Sequence, residues 1–462
     1  MNKVQLSIIS FLLLITIGLM VFLFQVEISD IDDVASDLPQ ISTEQEKPPA
    51  MKQIPAGESF VTHVESEGIG KVAVQVTLPE EPRYKKDGAP VVVAIQTFFT
   101  TAAGFDRNMV GLTDQGLIHV SYLWPGKSEP TGESSEGEFD HGGEDSIQAL
   151  SDIVAFVSGS KTNADGYMLH EMVEIKPAYS NTGLYAFSHP GIAMINTMAL
   201  YGDTLPNVSW LVGRENPTDD IFSAVELGYW EDKVRYQNPL YSYEENYDPH
   251  QISIDYSSAR YNHDTNRAYF DINSNGVMDE GDHSLGSRIP TAYDMHYYSI
   301  EMLRALERNG LIDEGWPEDL ASAADAESLW PFRTSIDNFP RLSSDLHAIT
   351  VFAAEQHVQG APDAPSVHQA YDGYKEAGMW ARLNPDAAYV ESIAVRPPRN
   401  YIERDANTEP DDWANAGDEW GYEAFAGSQE FVPYAAVLEL VDRTWAGNWD
   451  ADLSGVLYKF GS

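Results

Sequence analysis

Short runs of apolar, mostly β-branched residues alternate along this chain with amphipathic stretches of helix length. Residues 90–95 (PVVVAI) contain no charged or hydrogen-bonding side chain, which is typical of a strand buried on both faces. Residues 145–158 carry apolar side chains at helical spacing, and residues 71–78 alternate with period two, as an early antiparallel strand does. Strands that alternate with helices predict an α/β fold with a mostly parallel, three-layer sheet.

Further segments extend this pattern. Predicted strands lie at residues 116–124, 183–187, 208–212, 349–354 and 380–383, and a helix is predicted at residues 191–200. Between the strands at 208–212 and 349–354, residues 228–345 are rich in Tyr, Asp and Asn and then become helical. We interpret this region as a large insertion that forms a cap over the sheet. The apolar residues 431–440 have no assigned element.

The N-terminal segment is long and apolar enough to cross a bilayer. Residues 7–26 (SIISFLLLITIGLMVFLFQV) contain Gln25 as the only strongly polar residue. No small-residue cleavage site follows, which favours an uncleaved anchor over a removed signal peptide. Lys3 precedes the segment and acidic residues follow it, so the positive-inside tendency exports the rest of the chain. We therefore expect an anchor at 1–26, an acidic, Pro-containing linker at 27–59 and a domain at 60–462 outside the cytoplasm, secreted if the segment is cleaved.

Charge and cysteine content exclude several function classes. The chain has 72 acidic and 28 basic residues, a net charge of −44, and such a surface repels nucleic acid. Its acidity fits generic solubility or a saline medium equally. The absence of cysteine excludes disulfides, thiolate metal sites, cysteine nucleophiles and a lipidated cysteine anchor. We expect no organic cofactor, and the oligomeric state is not determined.

A serine stands between a predicted strand and a predicted helix. Residues 184–193 read LYAFSHPGIA, which places Ser188 on a tight strand-to-helix turn with small neighbours at Ala186 and Gly191. On such a turn the hydroxyl is pushed out of the sheet, and the N–H of His189 faces a developing oxyanion at the helix N-terminus. An ordinary helix N-cap is the competing interpretation.

In this order of elements the chain resembles the α/β-hydrolase family over residues 71–227 and 349–390. The resemblance implies a serine-type hydrolase of ester or amide bonds acting on a small molecule or peptide, with Ser188 as nucleophile. Oxyanion donors would come from His189 and from Thr97 and Phe98, after the strand at 90–95. The resemblance places the acid at Asp363, with Glu355 second and the pair Asp219 and Asp220 as an alternative.

Two departures from the family pattern concern the elbow and the general base. Ala186 and Pro190 stand where the motif G-x-S-x-G has glycine, and proline is tolerated in a first helical turn. The family's histidine follows the last strand, here near residues 384–396, yet His368 is the last histidine of the chain. The base is therefore sought at His357 first, then at His189 or His368. The alternative function is a catalytically degenerate, hydrolase-fold binding or scaffold protein of the cell surface.

A second motif predicts a calcium loop inside the insertion. Residues 271–282 (DINSNGVMDEGD) match the twelve-residue oxygen-ligand loop of EF-hand and dockerin type, with Gly276 at the sharp turn. Calcium prefers this array of hard oxygens, and one loop without a partner favours a structural ion over a sensor. An Asn/Gly turn in an acidic protein is the competing interpretation. The predicted ligands are Asp271, Asn273, Asn275, the carbonyl of Val277, Asp279 and Asp282.

Overall fold

A computed structural model describes most of the chain beyond the N-terminal segment. The described residues are 52–97, 104–105, 109–219, 226, 228–231, 234–238, 240–242, 253–286, 288–291, 293–312, 315–351, 365–393, 431–450 and 453–460. Among the helices in these ranges, none combines the length and apolarity that crossing a bilayer requires. The predicted anchor at residues 7–26 lies outside the described residues.

Seventeen strands are present in the described ranges. In chain order they are β1 (Ser59–Ser66), β2 (Gly70–Thr77), β3 (Ala89–Ala94), β4 (Ile118–Tyr122), β5 (Pro177–Phe187), β6 (Val208–Arg214), β7 (Gly228–Glu231), β8 (Val234–Gln237), β9 (Tyr241–Ser242), β10 (Ser253–Ile254), β11 (Ala259–Asn262), β12 (Arg267–Phe270), β13 (His283–Ser284), β14 (Ile289–Pro290), β15 (His296–Tyr297), β16 (His347–Val351) and β17 (Trp380–Leu383).

Eight α-helices accompany these strands in the same ranges. They are α1 (Glu144–Val157), α2 (Leu169–Met172), α3 (Pro190–Tyr201), α4 (Ile300–Arg308), α5 (Ala323–Arg333), α6 (Pro365–Glu376), α7 (Ala387–Ile393) and α8 (Phe431–Ala446). Short 3-10 turns lie at Val110–Gln115, Gly202–Thr204, Tyr256–Ser258 and Ile336–Arg341.

One eight-stranded sheet carries the fold, in the order β1-β2-β4-β3-β5-β6-β16-β17. The first two pairings, β1 with β2 and β2 with β4, are antiparallel, and every later pairing is parallel. The prediction of a mixed α/β fold with a large, mostly parallel sheet is confirmed. The strand predicted at 183–187 is the apolar end of the longer β5, whose first residues are too polar to stand out by hydropathy.

The buried runs of the central strands supply both faces of the sheet, because successive side chains of a strand point to opposite sides. Val91 and Leu184 belong to a core that includes residues of α1, α3 and α6. Val92 and Tyr185, their neighbours in sequence, belong to a second core that includes residues of α7 and α8. Helices therefore cover both faces, and the apolar segment left unassigned by sequence is the start of α8.

The insertion between β6 and β16 contains short two- and three-stranded sheets followed by α4 and α5. Hydrogen bonds between buried polar groups hold the end of the insertion, where the chain goes back to the main sheet. The Asn196 amide on α3 donates to the carbonyls of Pro331, Phe332 and Thr334 at 3.1 to 3.4 Å. The backbone N–H of Ser335 donates to the carbonyl of Thr218 at 2.7 Å. The end of α5 is thereby held against α3 and the segment that follows β6.

Candidate active site

Ser188 occupies a left-handed backbone conformation between β5 and α3. Its φ is 63°, a region that few residues other than glycine adopt and that marks tight, strained turns. β5 ends at Phe187 and α3 begins at Pro190, so the turn is only two residues long. The sequence prediction of a serine on a sharp strand-to-helix turn agrees with this backbone geometry.

Hydrogen bonds from the neighbouring strand hold this turn in place. The N–H of Ser188 donates to the carbonyl of Arg214, the last residue of β6, at 2.9 Å, and the N–H of Gly191 donates back to the carbonyl of Ser188 at 2.9 Å. The side-chain amide of Asn216 adds a 2.7 Å hydrogen bond to the same Ser188 carbonyl. The turn is therefore braced by α3 on one side and by the end of β6 on the other.

Gly191 is required by close packing at this turn. A Cβ atom at this position would lie 2.2 Å from Cβ and Cγ of Asn216, a distance that real Cβ atoms do not reach. From the sequence, Gly191 is expected only to be a small neighbour of the tight turn. The contact partner is Asn216, two residues beyond β6, which sequence patterns did not point to.

The imidazole of His189 contacts the hydroxyl of Ser188. Neighbouring side chains on such a turn usually point apart, yet Ser188 Oγ and His189 Nδ1 are 3.2 Å from one another. Both residues are largely buried, with 8% and 9% of their surface exposed. The distance is at the outer limit of direct proton transfer between a hydroxyl and a general base. His189 therefore combines a backbone N–H at the start of α3 with a ring nitrogen beside the hydroxyl.

The segment after β3 leaves the sheet beside the serine turn. Ala94 lies opposite Tyr185 in the parallel pairing of β3 and β5, and the N–H of Ile95 donates to the Tyr185 carbonyl at 2.9 Å. Three residues beyond these partners, Thr97 and Ser188 are at the same edge of the sheet. The chain runs from β3 to β4 on one side and then returns to β5 on the other, which makes this edge a topological switch point, where ligands bind in open α/β sheets.

Gln96 anchors this segment close to the predicted oxyanion donors. Its side-chain amide donates to the carbonyl of Gly104 at 2.7 Å, and its own carbonyl accepts a 3.2 Å hydrogen bond from the indole of Trp124. Thr97 follows directly, whereas Phe98, the other predicted donor, lies outside the described residues.

The predicted acid and the first-ranked base follow β16. Val351 ends β16 opposite Arg214, and the N–H of Glu215 donates to the Val351 carbonyl at 3.0 Å, so the chain leaves β16 at the edge that carries Ser188. His357 and Asp363 lie outside the described residues, as do the alternative acids Glu355 and Asp220.

Two of the remaining candidates, Asp219 and His368, lie within the described residues. Asp219 is fully buried and pairs through its backbone with Thr334 at the return of the insertion. His368 lies in the first half of α6. At the end of β17, where the family resemblance requires a histidine, stands Asn384, with φ 59° and its N–H donating to the Thr350 carbonyl at 2.9 Å.

The calcium-type loop connects two antiparallel strands, β12 and β13, whereas an EF-hand loop joins two helices. Its backbone wraps around two carboxylates: Asp271 accepts from the N–H groups of Asn275 and Gly276, and Asp282 accepts from those of Ile272 and Asp279. Gly276 has φ 75°, in keeping with the predicted sharp turn.

The third carboxylate of this loop is held in its ionised form. The N–H of Gly281 and the amides of Asn275 and Asn273 donate to Asp279 and keep the pKa of its carboxyl below the ordinary value. Across the described ranges, no three His, Asp or Glu side chains converge closely enough to hold a metal ion. All six predicted ligand groups are oxygen donors of the kind that calcium prefers, so their chemistry fits the ion. Their carboxylates do not converge on one point in this structure.

Comparison with known proteins gives solved structures alone. No family model matches the sequence, and neither does any curated protein. An esterase from Pyrobaculum calidifontis is 12% identical, with 71% of this chain and 75% of the esterase covered at a TM-score of 0.34. The carboxylesterase EstE1, cloned from a metagenomic library, is 10% identical, with 88% and 92% covered at a TM-score of 0.37. A thermostable esterase from Pseudomonas putida is 10% identical, with 72% and 74% covered at a TM-score of 0.34.

Proposed function

We propose that this protein is a serine-type hydrolase of ester or amide bonds with the α/β-hydrolase architecture, and that Ser188 is its nucleophile. The observation that carries the proposal is the positive φ of Ser188 between a central strand and a helix, at the carboxyl edge of the parallel strands. A serine used only as a helix cap does not need this strained backbone.

The chemistry follows from the groups around the turn. Ser188 Oγ attacks the carbonyl carbon of the substrate while a histidine accepts the hydroxyl proton. The carbonyl oxygen, now negative, accepts hydrogen bonds from the N–H of His189 and from the Thr97–Phe98 segment. The protonated histidine then donates its proton to the leaving group, and water releases the acyl group from Ser188 by the reverse sequence of steps.

A fluorophosphonate probe tests the nucleophile directly. The purified domain, residues 60–462, should be labelled at Ser188, and Ser188→Ala should remove the label. Ser209→Ala, at the start of β6 and therefore at the opposite edge of the sheet, is the matched control and should label as the parent does. Folded parent protein that takes up no label would overturn the proposal.

Two histidines compete for the role of base, and substitution separates them. His189 is supported by the 3.2 Å contact of its ring with Ser188 Oγ. His357 is supported by its position in the sequence, shortly after β16. His189→Gln leaves the backbone N–H of residue 189 in place, so a fall in labelling rate reports the ring alone. The base is the histidine whose replacement lowers the rate by about 10²–10⁴-fold, the usual contribution of a general base.

The second candidate function is a hydrolase-fold binding or scaffold protein without turnover. It is favoured by the absence of histidine after His368 and by Asn384 at the end of β17. Stoichiometric labelling of Ser188 with no release of product from simple esters would favour this alternative. Multiple turnovers that depend on Ser188 would exclude it.

We also propose that residues 7–26 anchor the protein in a membrane with its domain outside the cytoplasm. Support comes from the length and apolarity of this segment and from the charges that flank it. In cells, the full chain should sediment with membranes and resist alkaline extraction, and a protease added outside should reach the domain. Release into the medium of a chain that lacks residues 7–26 would instead show a cleaved signal.

The loop at 271–282 is proposed as a structural calcium site that stabilises the β12–β13 hairpin. The all-oxygen donor set and the backbone wrapped around Asp271 support it. A chelator should lower the melting temperature, and Asp271→Ala should abolish that response. Asp264→Ala, in the turn that connects β11 to β12, is the control that should keep it. An unchanged melting temperature with chelator would reject calcium at this loop.

A further inference from the structure

The side chain of Asn216 touches three backbone carbonyls at the serine turn. Its Nδ2 donates to the carbonyl of Ser188 at 2.7 Å, of Ala186 at 3.2 Å and of Arg214 at 3.3 Å. Two of these carbonyls belong to the end of β5 and its turn, and the third to the end of β6. One buried amide thus connects the two strand ends on either side of the proposed nucleophile.

The orientation of this amide is fixed by its surroundings. With the amide reversed, Oδ1 would face three carbonyl oxygens, all acceptors, and no hydrogen bond would form. In the observed orientation Oδ1 is buried and has no hydrogen-bond partner within the described ranges. Leaving a buried acceptor unsatisfied costs stability, so the contacts of Nδ2 outweigh that loss.

The backbone around Asn216 is shaped to admit it. A Cβ at Gly213 would lie 2.2 Å from Asn216 Oδ1, and a Cβ at Gly191 would lie 2.2 Å from Asn216 Cγ. Asn216 itself is 3% exposed. The absence of a Cβ at both glycines leaves the space that the amide occupies, within hydrogen-bonding distance of the Ser188 carbonyl.

We infer that Asn216 is a positioning residue that holds Ser188 in its left-handed conformation and so aims its hydroxyl. The inference rests on the proposed role of Ser188. A strained φ persists only where the surroundings over-determine it, and the Ser188 carbonyl is held from two sides, by Asn216 Nδ2 and by the N–H of Gly191. Without the amide, the turn can relax toward ordinary φ values and turn the hydroxyl away from the oxyanion donors.

The test compares Asn216→Asp with Asn181→Asp. Asn181 is also buried and donates its amide to a carbonyl, that of Val441, at 2.8 Å, but it lies in the first half of β5, away from the serine turn. Asn216→Asp should lower the rate constant of fluorophosphonate labelling by about 10²-fold, the size expected for a misplaced reacting group, while the affinity for the probe changes little. Asn181→Asp should lose comparable stability and keep the parent rate constant.

A pH profile adds a readout that a loss of stability does not produce. Burial raises the pKa of a carboxyl, and its protonated form can donate one hydrogen bond in place of the amide. As the pH is lowered from about 8 to about 5, the labelling rate of Asn216→Asp relative to the parent should therefore rise. The relative rate of Asn181→Asp should stay constant over the same range. Equal rate constants for Asn216→Asp and the parent would overturn the inference.

Crystal structures make the outcome independent of the proposed activity. In Asn216→Asp, or in Asn216→Ala if the first variant does not fold, Ser188 should leave its positive φ. If the parent takes up no label but Ser188 changes φ in the variant, the proposed function fails while the positioning role stands. A Ser188 that keeps its φ in the variant would refute the positioning role even if the parent is labelled.

Discussion

Arg83 and Asp442 form a bidentate ion pair between the segment before β3 and the last long helix, α8. Arg83 Nε and Nη2 lie 2.7 and 2.8 Å from the two carboxylate oxygens of Asp442, and both side chains are buried. The hydroxyl of Tyr84 and the N–H of Tyr458 also donate to this carboxylate, at 2.6 and 3.1 Å. Since α8 packs on the face formed by β5, β6 and β16, this pair ties the chain's C-terminal part to the central sheet.

Removing one partner of this pair should be costly. Asp442→Asn leaves the Arg83 charge buried without its counter-charge, and such changes cost about 3–5 kcal/mol of unfolding free energy. The exposed pair Arg304 and Glu327 is the control, where Glu327→Gln should cost about 0–1 kcal/mol. Urea unfolding of the three proteins measures both values. Equal midpoints for Asp442→Asn and Glu327→Gln would show that the buried pair adds nothing.

Gly191→Ala should damage the serine turn through Asn216. The added Cβ would overlap Asn216, and overpacking of this kind costs about 1–3 kcal/mol. Because both side chains compete for the same space, the cost should shrink when Asn216→Gly is combined with Gly191→Ala. Thermal unfolding of both single variants and the double variant measures this coupling. Additive costs would show that the two positions do not compete.

Glu226 should make the stability of the insertion fall as the pH rises. Burial raises the pKa of its carboxyl to about 7, although Tyr256 and Ser299 donate hydrogen bonds to it that act in the opposite direction. Between about pH 4.5 and about pH 7 the folded chain holds a proton that the unfolded chain has released, so stability is lost across this window and stays lost above it. The full loss is about 3 kcal/mol.

Glu226→Gln removes this titration and tests whether the carboxyl of Glu226 makes stability fall as the pH rises. The stability difference between variant and parent, measured by urea unfolding, should shift in favour of the variant as the pH rises from about 5 to about 8. Glu327→Gln, which changes an exposed carboxylate of the same insertion, is the control. A difference that does not change with pH would place the pKa of Glu226 near its ordinary value.

Salt should stabilise the folded protein. With a net charge of −44, mutual repulsion opposes the compact state, and added salt screens it. The melting temperature should rise when sodium chloride increases from about 0.05 M to about 1 M, where the screening length falls to about 3 Å. A melting temperature that does not change with salt would show that the acidic residues are placed too far apart to repel each other.

Sequence periodicity was sufficient to predict the layered fold, because a strand that is buried on both faces of the sheet requires a continuous apolar run. Residues 90–95 and 208–212 were placed as central strands, and β3 and β6 contain most of them. The helix bounds at α1 and α3 differ from expectation by one residue at each end. The α8 helix was not assigned, since an apolar segment buried on several sides has no distinct period, and Glu439 and Asp442 obscured its apolar face.

The serine turn shows what each level of information contributes. The sequence by itself determined that Ser188 stands between a strand and a helix, because the strand and helix periods change there. Tertiary structure alone decided what holds it: Asn216, distant in sequence, reaches the Ser188 carbonyl because parallel pairing of β5 and β6 brings their carboxyl ends together. Local sequence patterns indicate which element a residue belongs to. Contacts between elements depend on the register of strand pairing, which cannot be read from a single sequence.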